Sequence, residues 1–191
     1  KDVKAPSKIM RVERNRLTAS GKWSNLFVEK TTDNSSNDDC KLGNFFTVKR
    51  GIATGDNDFF VVDMDTIEKY HIPSKFLKPV LPSPRYLKGD IILSDNEGNI
   101  ALPQKHYLFS CNLPEDVLME KYPSVWDYIQ EGIKRGVNKG YICSHRPLWY
   151  FCEDRKPAPF VIPYMGRGDS SKKMFRFILN KTRAITTNVY L

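Results

Sequence analysis

Residues 46–62 read FTVKRGIATGDNDFFVV and hold the densest set of groups able to bind an anionic polymer. Lys49 and Arg50 are adjacent cations suited to phosphate oxygens. Thr54, Asn57 and Asp58 are short hydrogen-bonding side chains of the size that reaches base edges. Gly51 and Gly55 give the segment its hinges. A second set lies in SHRPLWYFCEDRKPAPF, residues 144–160. There Arg146 could clamp a phosphate or read a guanine bidentately. Ser144 and His145 add polar contacts, and Trp149 or Tyr150 could stack on a base displaced from a duplex. The same residues also fit a structural reading, with Trp149 in the core and Arg146 paired to Glu153 or Asp154. A third set, 164–191, carries Arg167, Lys172 and Lys173 in a glycine-rich turn, then Asn180, Thr186, Thr187 and Asn188 near strand ends.

The whole chain favours the polyanion. Its 191 residues carry 30 Lys and Arg against 22 Asp and Glu, a net charge of +8. That balance points to nucleic acid ahead of a membrane surface, and the spread of the cations along the sequence excludes a simple basic tail. Hydrophobic residues at 40% are enough for a packed core. Cys40, Cys111, Cys143 and Cys152 form no CxxC pair, and a chain of this size does not need disulfide staples, so a reducing cytoplasm is expected. Cys143, His145 and Cys152 match no common zinc spacing, and no metal is assigned. No run approaches a transmembrane length. P-loop, GxGxxG, GxSxG and HExxH signatures are absent, and His71, His106 and His145 are scattered. The tripeptide RGD at 167–169 is too short to carry meaning.

These groups need a scaffold. Residues 1–39 read as a basic linker, a first core segment around Trp23, Leu26, Phe27 and Val28, and a polar loop at 31–39. Residues 40–191 read as one domain. Its predicted strands cover 45–52 and 59–62 as a hairpin, then 90–93 and 107–109 around a DNEGN turn at 95–99. A helical turn starts at Asp65, and the main helical region spans 113–135. From Tyr141 the runs YICS, LWYF, PFVIPYM, MFRFIL and AITTNVYL return to β. The sum is an α+β domain, a mixed β-sheet with a central helical region. The chain begins at Lys1 without Met and stops directly after a β-rich run, as expected of an excised fragment.

Taken in order, VKRGIATGDNDFFVV, FLKPVLPSPR, GVNKGYICSHRPLWYFCEDRKPAPFVIPYMGR and FRFILNKTRAITTNVYL resemble the C-terminal target-recognition domain of adenine-specific DNA methyltransferases of the TaqI kind. The resemblance covers about residues 40–191. It implies a bacterial, cytoplasmic enzyme of a restriction–modification system, in some cases fused to a nuclease. It implies double-stranded DNA as partner, held in a basic cleft and read mainly in the major groove. The Asn-Pro-Pro-Tyr type catalytic motif is missing, since Pro82-Ser83-Pro84-Arg85 lacks the paired prolines and the aromatic residue. The resemblance therefore places catalysis and S-adenosylmethionine in an upstream methyltransferase domain and leaves this chain without a cofactor. It carries DNA contact to Lys49, Arg50, Thr54 and Asn57, to Ser144, Arg146, Trp149 and Tyr150, and to Asn180 and Asn188. Arg85, Arg167 and Lys172 add phosphate contacts, and Asp58 and His145 add base contacts. An RNA- or protein-binding module and a stand-alone nuclease are the competing readings.

Overall fold

The computed structural model describes residues 11–19, 42–165 and 175–191. Trp23 to Val28, the polar loop at 31–39, Cys40, Arg167 and Lys172 lie outside the described residues. The chain divides into two units, 1–46 and 47–191. In the first, α1 spans Arg14–Ala19 and a 3-10 turn spans Leu42–Asn44.

The second unit is α+β and holds two small sheets. In the first sheet β4 (Tyr107–Phe109) lies between β1 (Val61–Val62) and β2 (Leu77–Pro79), antiparallel to both. Leu108 stands opposite Val61 on one side and Lys78 on the other. Helices α2 (Asn57–Phe60), α3 (Met64–Lys69), α4 (Glu115–Lys121) and α5 (Pro123–Lys134) surround it in sequence. On α5 the buried residues Val125, Tyr128, Ile129 and Gly132 recur at three- and four-residue steps, which gives one apolar stripe. Phe59 stacks on Tyr128 with ring centroids 4.7 Å apart and meets Phe60 and Phe109 edge-on. Gly132 lets this cluster close, because a Cβ there would lie 2.5 Å from Phe59 and 2.6 Å from Trp149.

In the second sheet β6 (Ile178–Asn180) lies between β3 (Ile91–Ile92), to which it is parallel, and the antiparallel β5 (Phe160–Val161). The inner face contributes Ile92, Val161 and Ile178 to a separate core with Leu81, Leu87, Ile100, Ala184 and Tyr190. The predicted turn at 95–99 is present. Asp95 Oδ1 accepts from the amides of Glu97 and Asn99, and Lys105 Nζ lies 3.0 Å from its Oδ2.

Five predictions need correction. Residues 45–52 and 59–62 do not form a hairpin. Asp56 caps α2 by accepting from the Phe59 amide at 3.0 Å, so the expected loop is spent on a helical turn. Ile52 instead bridges Thr187 in parallel, and β1 pairs with β4. The helical turn expected from Asp65 is capped by Asp63, which accepts from the Thr66 amide. The region 113–135 is two helices that break at Tyr122 before Pro123. The run YICS is α6 (Tyr141–Ser144) rather than a strand, and LWYF passes through a turn in which the Phe151 amide donates to Leu148.

Candidate nucleic-acid interface

The segment after Val48 is fixed from its far end. The amides of Gly51 and Ile52 donate to the carbonyls of Tyr190 and Thr186, and the Asn188 amide donates to Ile52. The approach is so close that a Cβ on Gly51 would lie 2.1 Å from the Thr187 carbonyl oxygen. Lys49 and Arg50 stand exposed beside this junction. The Arg50 guanidinium lies 4.4 Å from the ring centroid of Tyr164, and its Nε donates to the Asn188 carbonyl at 3.4 Å. Arg155 reaches in from the second motif and donates to the Arg50 carbonyl, while its other terminal nitrogen lies 2.8 Å from Glu153. Three stretches that are distant in sequence thus meet around Arg50.

The first motif continues onto α6. Gly55 has φ 94° and rests against Cys143 and Ile142, where a Cβ would come within 2.7 Å of the Cys143 sulfur. The Cys143 thiol donates to the Thr54 carbonyl at 3.7 Å. Arg146 ties the two motifs together through a 2.6 Å bond to the Ala53 carbonyl. Its other terminal nitrogen donates to Cys152 and to the Trp149 carbonyl, and its guanidinium faces the Phe60 ring. On the outside of this junction Asn57, Asp58, Ser144 and His145 are exposed. Tyr141, at the start of α6, is 81% exposed. The His145 ring rests 4.5 Å from it, and His145 Nδ1 lies 2.6 Å from the Tyr141 carbonyl. Ser144 Oγ donates to the same carbonyl.

Several nominated residues have other work. Thr54 is 2% exposed and gives its hydroxyl to Asn57 Oδ1 at 2.7 Å, so it braces the turn rather than facing a partner. Arg146 is spent on protein acceptors, and it pairs with neither Glu153 nor Asp154, since Arg155 and Lys78 hold those. Trp149 packs on Phe59 and Phe60. Tyr150 is buried and donates to the Leu113 carbonyl at 2.8 Å, and burial pushes its phenol up to about 12. Asn180 is also buried. Its amide donates to the carbonyls of Ala158 and Ala184, and its Oδ1 accepts from the Thr182 amide and hydroxyl. These placements correct the expectation of surface contacts at Thr54, Arg146, Tyr150 and Asn180. Each side chain already has its partners inside.

Asn188 is half-buried at the Arg50 junction, and its Oδ1 is enclosed without a hydrogen-bond partner among the described residues. Arg85 is exposed on a separate 3-10 turn, Pro84–Tyr86, with its guanidinium over the Tyr86 ring. Sequence reasoning missed Tyr141, Arg155 and Tyr164. Their types were visible, but only the fold brings them beside Arg50 and His145. Among the described residues no three or more His, Cys, Asp or Glu are grouped to hold a metal ion, and no helix is long and apolar enough to cross a membrane. Cys152 is buried, and its thiol is pushed up to about 11 by that burial.

Residues 20–191 match the family defined by the C-terminal domain of the type II methyltransferase M.Eco57I. The type II methyltransferase M.AccI of Acinetobacter calcoaceticus is 27% identical over 144 residues, which cover 75% of this chain and 25% of that protein. The type II methyltransferase M.XamI of Xanthomonas campestris pv. amaranthicola is 22% identical over 156 residues, or 82% of this chain and 28% of its own length. The chain thus spans about a quarter of the length of these curated relatives.

Proposed function

The chain belongs to the family of type II methyltransferase C-terminal domains typified by M.Eco57I, and from that membership we propose that it is the part of such an enzyme that recognises double-stranded DNA. In this reading the domain is of the TaqI-like target-recognition type, and its parent methylates N6 of adenine. The observation that carries the proposal is the convergence at Arg50. Two exposed cations, Lys49 and Arg50, and a third, Arg155, meet at one junction with Tyr164 and Asn188. That is the composition of a phosphate-contacting edge. Next to it, the junction of the 53–58 turn with α6 presents Asn57, Asp58, Ser144, His145 and an exposed ring, Tyr141, toward bases.

In the same reading S-adenosylmethionine is bound by the rest of the parent enzyme. The segment nearest to a methyltransferase signature, 82–85, is structural. Pro82 is buried with its carbonyl accepting from Tyr190 Oη at 2.5 Å, and Pro84 opens a 3-10 turn. Methyl transfer is assigned to the rest of the parent enzyme. This chain contributes affinity, register and sequence choice.

The test is duplex binding at increasing salt. Contacts through several phosphates give a log–log slope of several units, about 0.9 per phosphate neutralised. Binding that ignores salt, or a preference for single-stranded RNA over duplex DNA, would overturn the proposal.

A further inference from the structure

The outer face of the second sheet is apolar where a solvent-facing sheet would alternate to polar residues. Along β6 and the residues before it, Arg176, Ile178 and Asn180 turn inward while Phe175, Phe177 and Leu179 turn outward. Phe175 is 69% exposed and Phe177 57% exposed. On the neighbouring strand Ile91 stands opposite Leu179 and is 57% exposed, and Leu93, just past β3, is 61% exposed. Phe160 stands opposite Leu179 on the other side. The face is held in shape. Arg176 donates to the carbonyls of Leu87 and Gly89 and bonds Asp90 at 3.1 Å, which locks the approach to β6 against the approach to β3. Contiguous exposed apolar surface of this kind marks an interface.

We propose that this face docks the remainder of the methyltransferase polypeptide, the portion that accounts for about three quarters of the length of M.AccI and M.XamI outside the matched region. Two arguments select that occupant. A chain that matches only a quarter of its relatives leaves a large body of protein to be placed against it. And a recognition module directs chemistry elsewhere only if its orientation to the catalytic part is fixed. Domains of one chain move freely unless their interface is large and hydrophobic, and this sheet supplies the hydrophobic half. Duplex DNA is a poor occupant, because phosphates would lie over phenylalanine and isoleucine side chains.

The inference rests on the reading of this chain as one part of a larger methyltransferase, and not on which residues touch DNA. The test places a photo-crosslinker in the full-length enzyme as Leu93→p-benzoylphenylalanine, with Phe177→p-benzoylphenylalanine as an independent second variant. Irradiation is followed by peptide mapping, with duplex binding and methyl transfer measured on the same samples. Crosslinks from both positions to the same polypeptide outside residues 1–191 are expected. Crosslinks to a second copy, to DNA or to residues within 1–191 would overturn the inference, as would no crosslink from either position. Loss of duplex binding with the crosslinks intact would overturn the recognition reading alone.

Discussion

Arg50 lies face-on to Tyr164, its guanidinium 4.4 Å from the ring centroid, and so the cation is aimed before any partner arrives. Replacing both Lys49 and Arg50 by Ala is expected to lower affinity for all duplex sequences alike. The log–log salt slope should fall by about 2. Tyr164→Leu removes only the platform and should weaken binding by about 0.5–1 kcal/mol. An unchanged slope in the double variant would separate these cations from DNA.

Asn57 is exposed, yet its Oδ1 accepts the Thr54 hydroxyl at 2.7 Å. Alanine at this position would disturb the turn and any base contact together. Asn57→Asp keeps the acceptor and removes the amide donors. It is expected to reorder preference among duplex sequences while thermal stability stays within about 1 kcal/mol of the parent. A competition assay against a randomised duplex pool reads this directly. An unchanged ranking would restrict Asn57 to bracing the turn.

Asn180 has the opposite expectation. Its four hydrogen bonds lie inside the second core, so Asn180→Ala strips partners from Thr182, Ala158 and Ala184. A loss of about 2–3 kcal/mol in urea denaturation should follow. Sequence preference of the folded fraction should not change.

Gly51→Ala tests the junction itself. The added Cβ would meet main-chain atoms of Thr187, which cannot swing away as a side-chain tip could. The bridge from Ile52 to Thr187 must open, at a cost of about 3 kcal/mol. DNA affinity should fall with stability, because Lys49 and Arg50 lose their placement.

The fold should weaken at alkaline pH. Burial raises the Cys152 thiol from 9.0 to about 11 and the Tyr150 phenol from 10.0 to about 12, so both stay protonated in the folded chain. The unfolded chain releases these protons from its ordinary values upward and then holds fewer than the folded one. Stability therefore falls as pH rises above 9.0 and levels once the folded groups also ionise, past about 12. For Cys152 alone the slope is about 1.4 kcal/mol per pH unit. Urea midpoints should drop between about pH 8 and about pH 10, and Cys152→Ser should flatten part of that drop.

The α+β class was legible because its signals are local. The DNEGN turn follows from Asp95 and its neighbours, and α5 follows from Val125, Trp126 and Ile129, although it runs on through Gly132, which read as its end. The hairpin at 46–62 was misread because its two apolar runs have better partners far away, Thr187 for one and Leu108 for the other. Asp56 fell within the expected loop, and only its bond to the Phe59 amide shows a cap. At the candidate site the exposure of Lys49 and Arg50 was legible from their charge. Thr54, Tyr150 and Asn180 were not, because a short polar side chain or a Tyr looks the same in sequence whether it faces solvent or completes a buried network. The structure separates the two cases by where the hydrogen bonds go.

The segment 178–191 is the middle strand of one sheet and also bridges Ile52 and Val80 beside the other core. Its contacts close very long loops, with 108 residues between Tyr190 and Pro82 and 138 between Asn188 and Arg50. While the ribosome is still adding these residues, α4 and α5 can form, but the second sheet lacks its centre and Lys49 and Arg50 have no junction to stand on. Folding of this unit is therefore a late event that waits on the last part of the segment to emerge. Until then Ile92 and Val161 lack the strand that pairs with both of theirs.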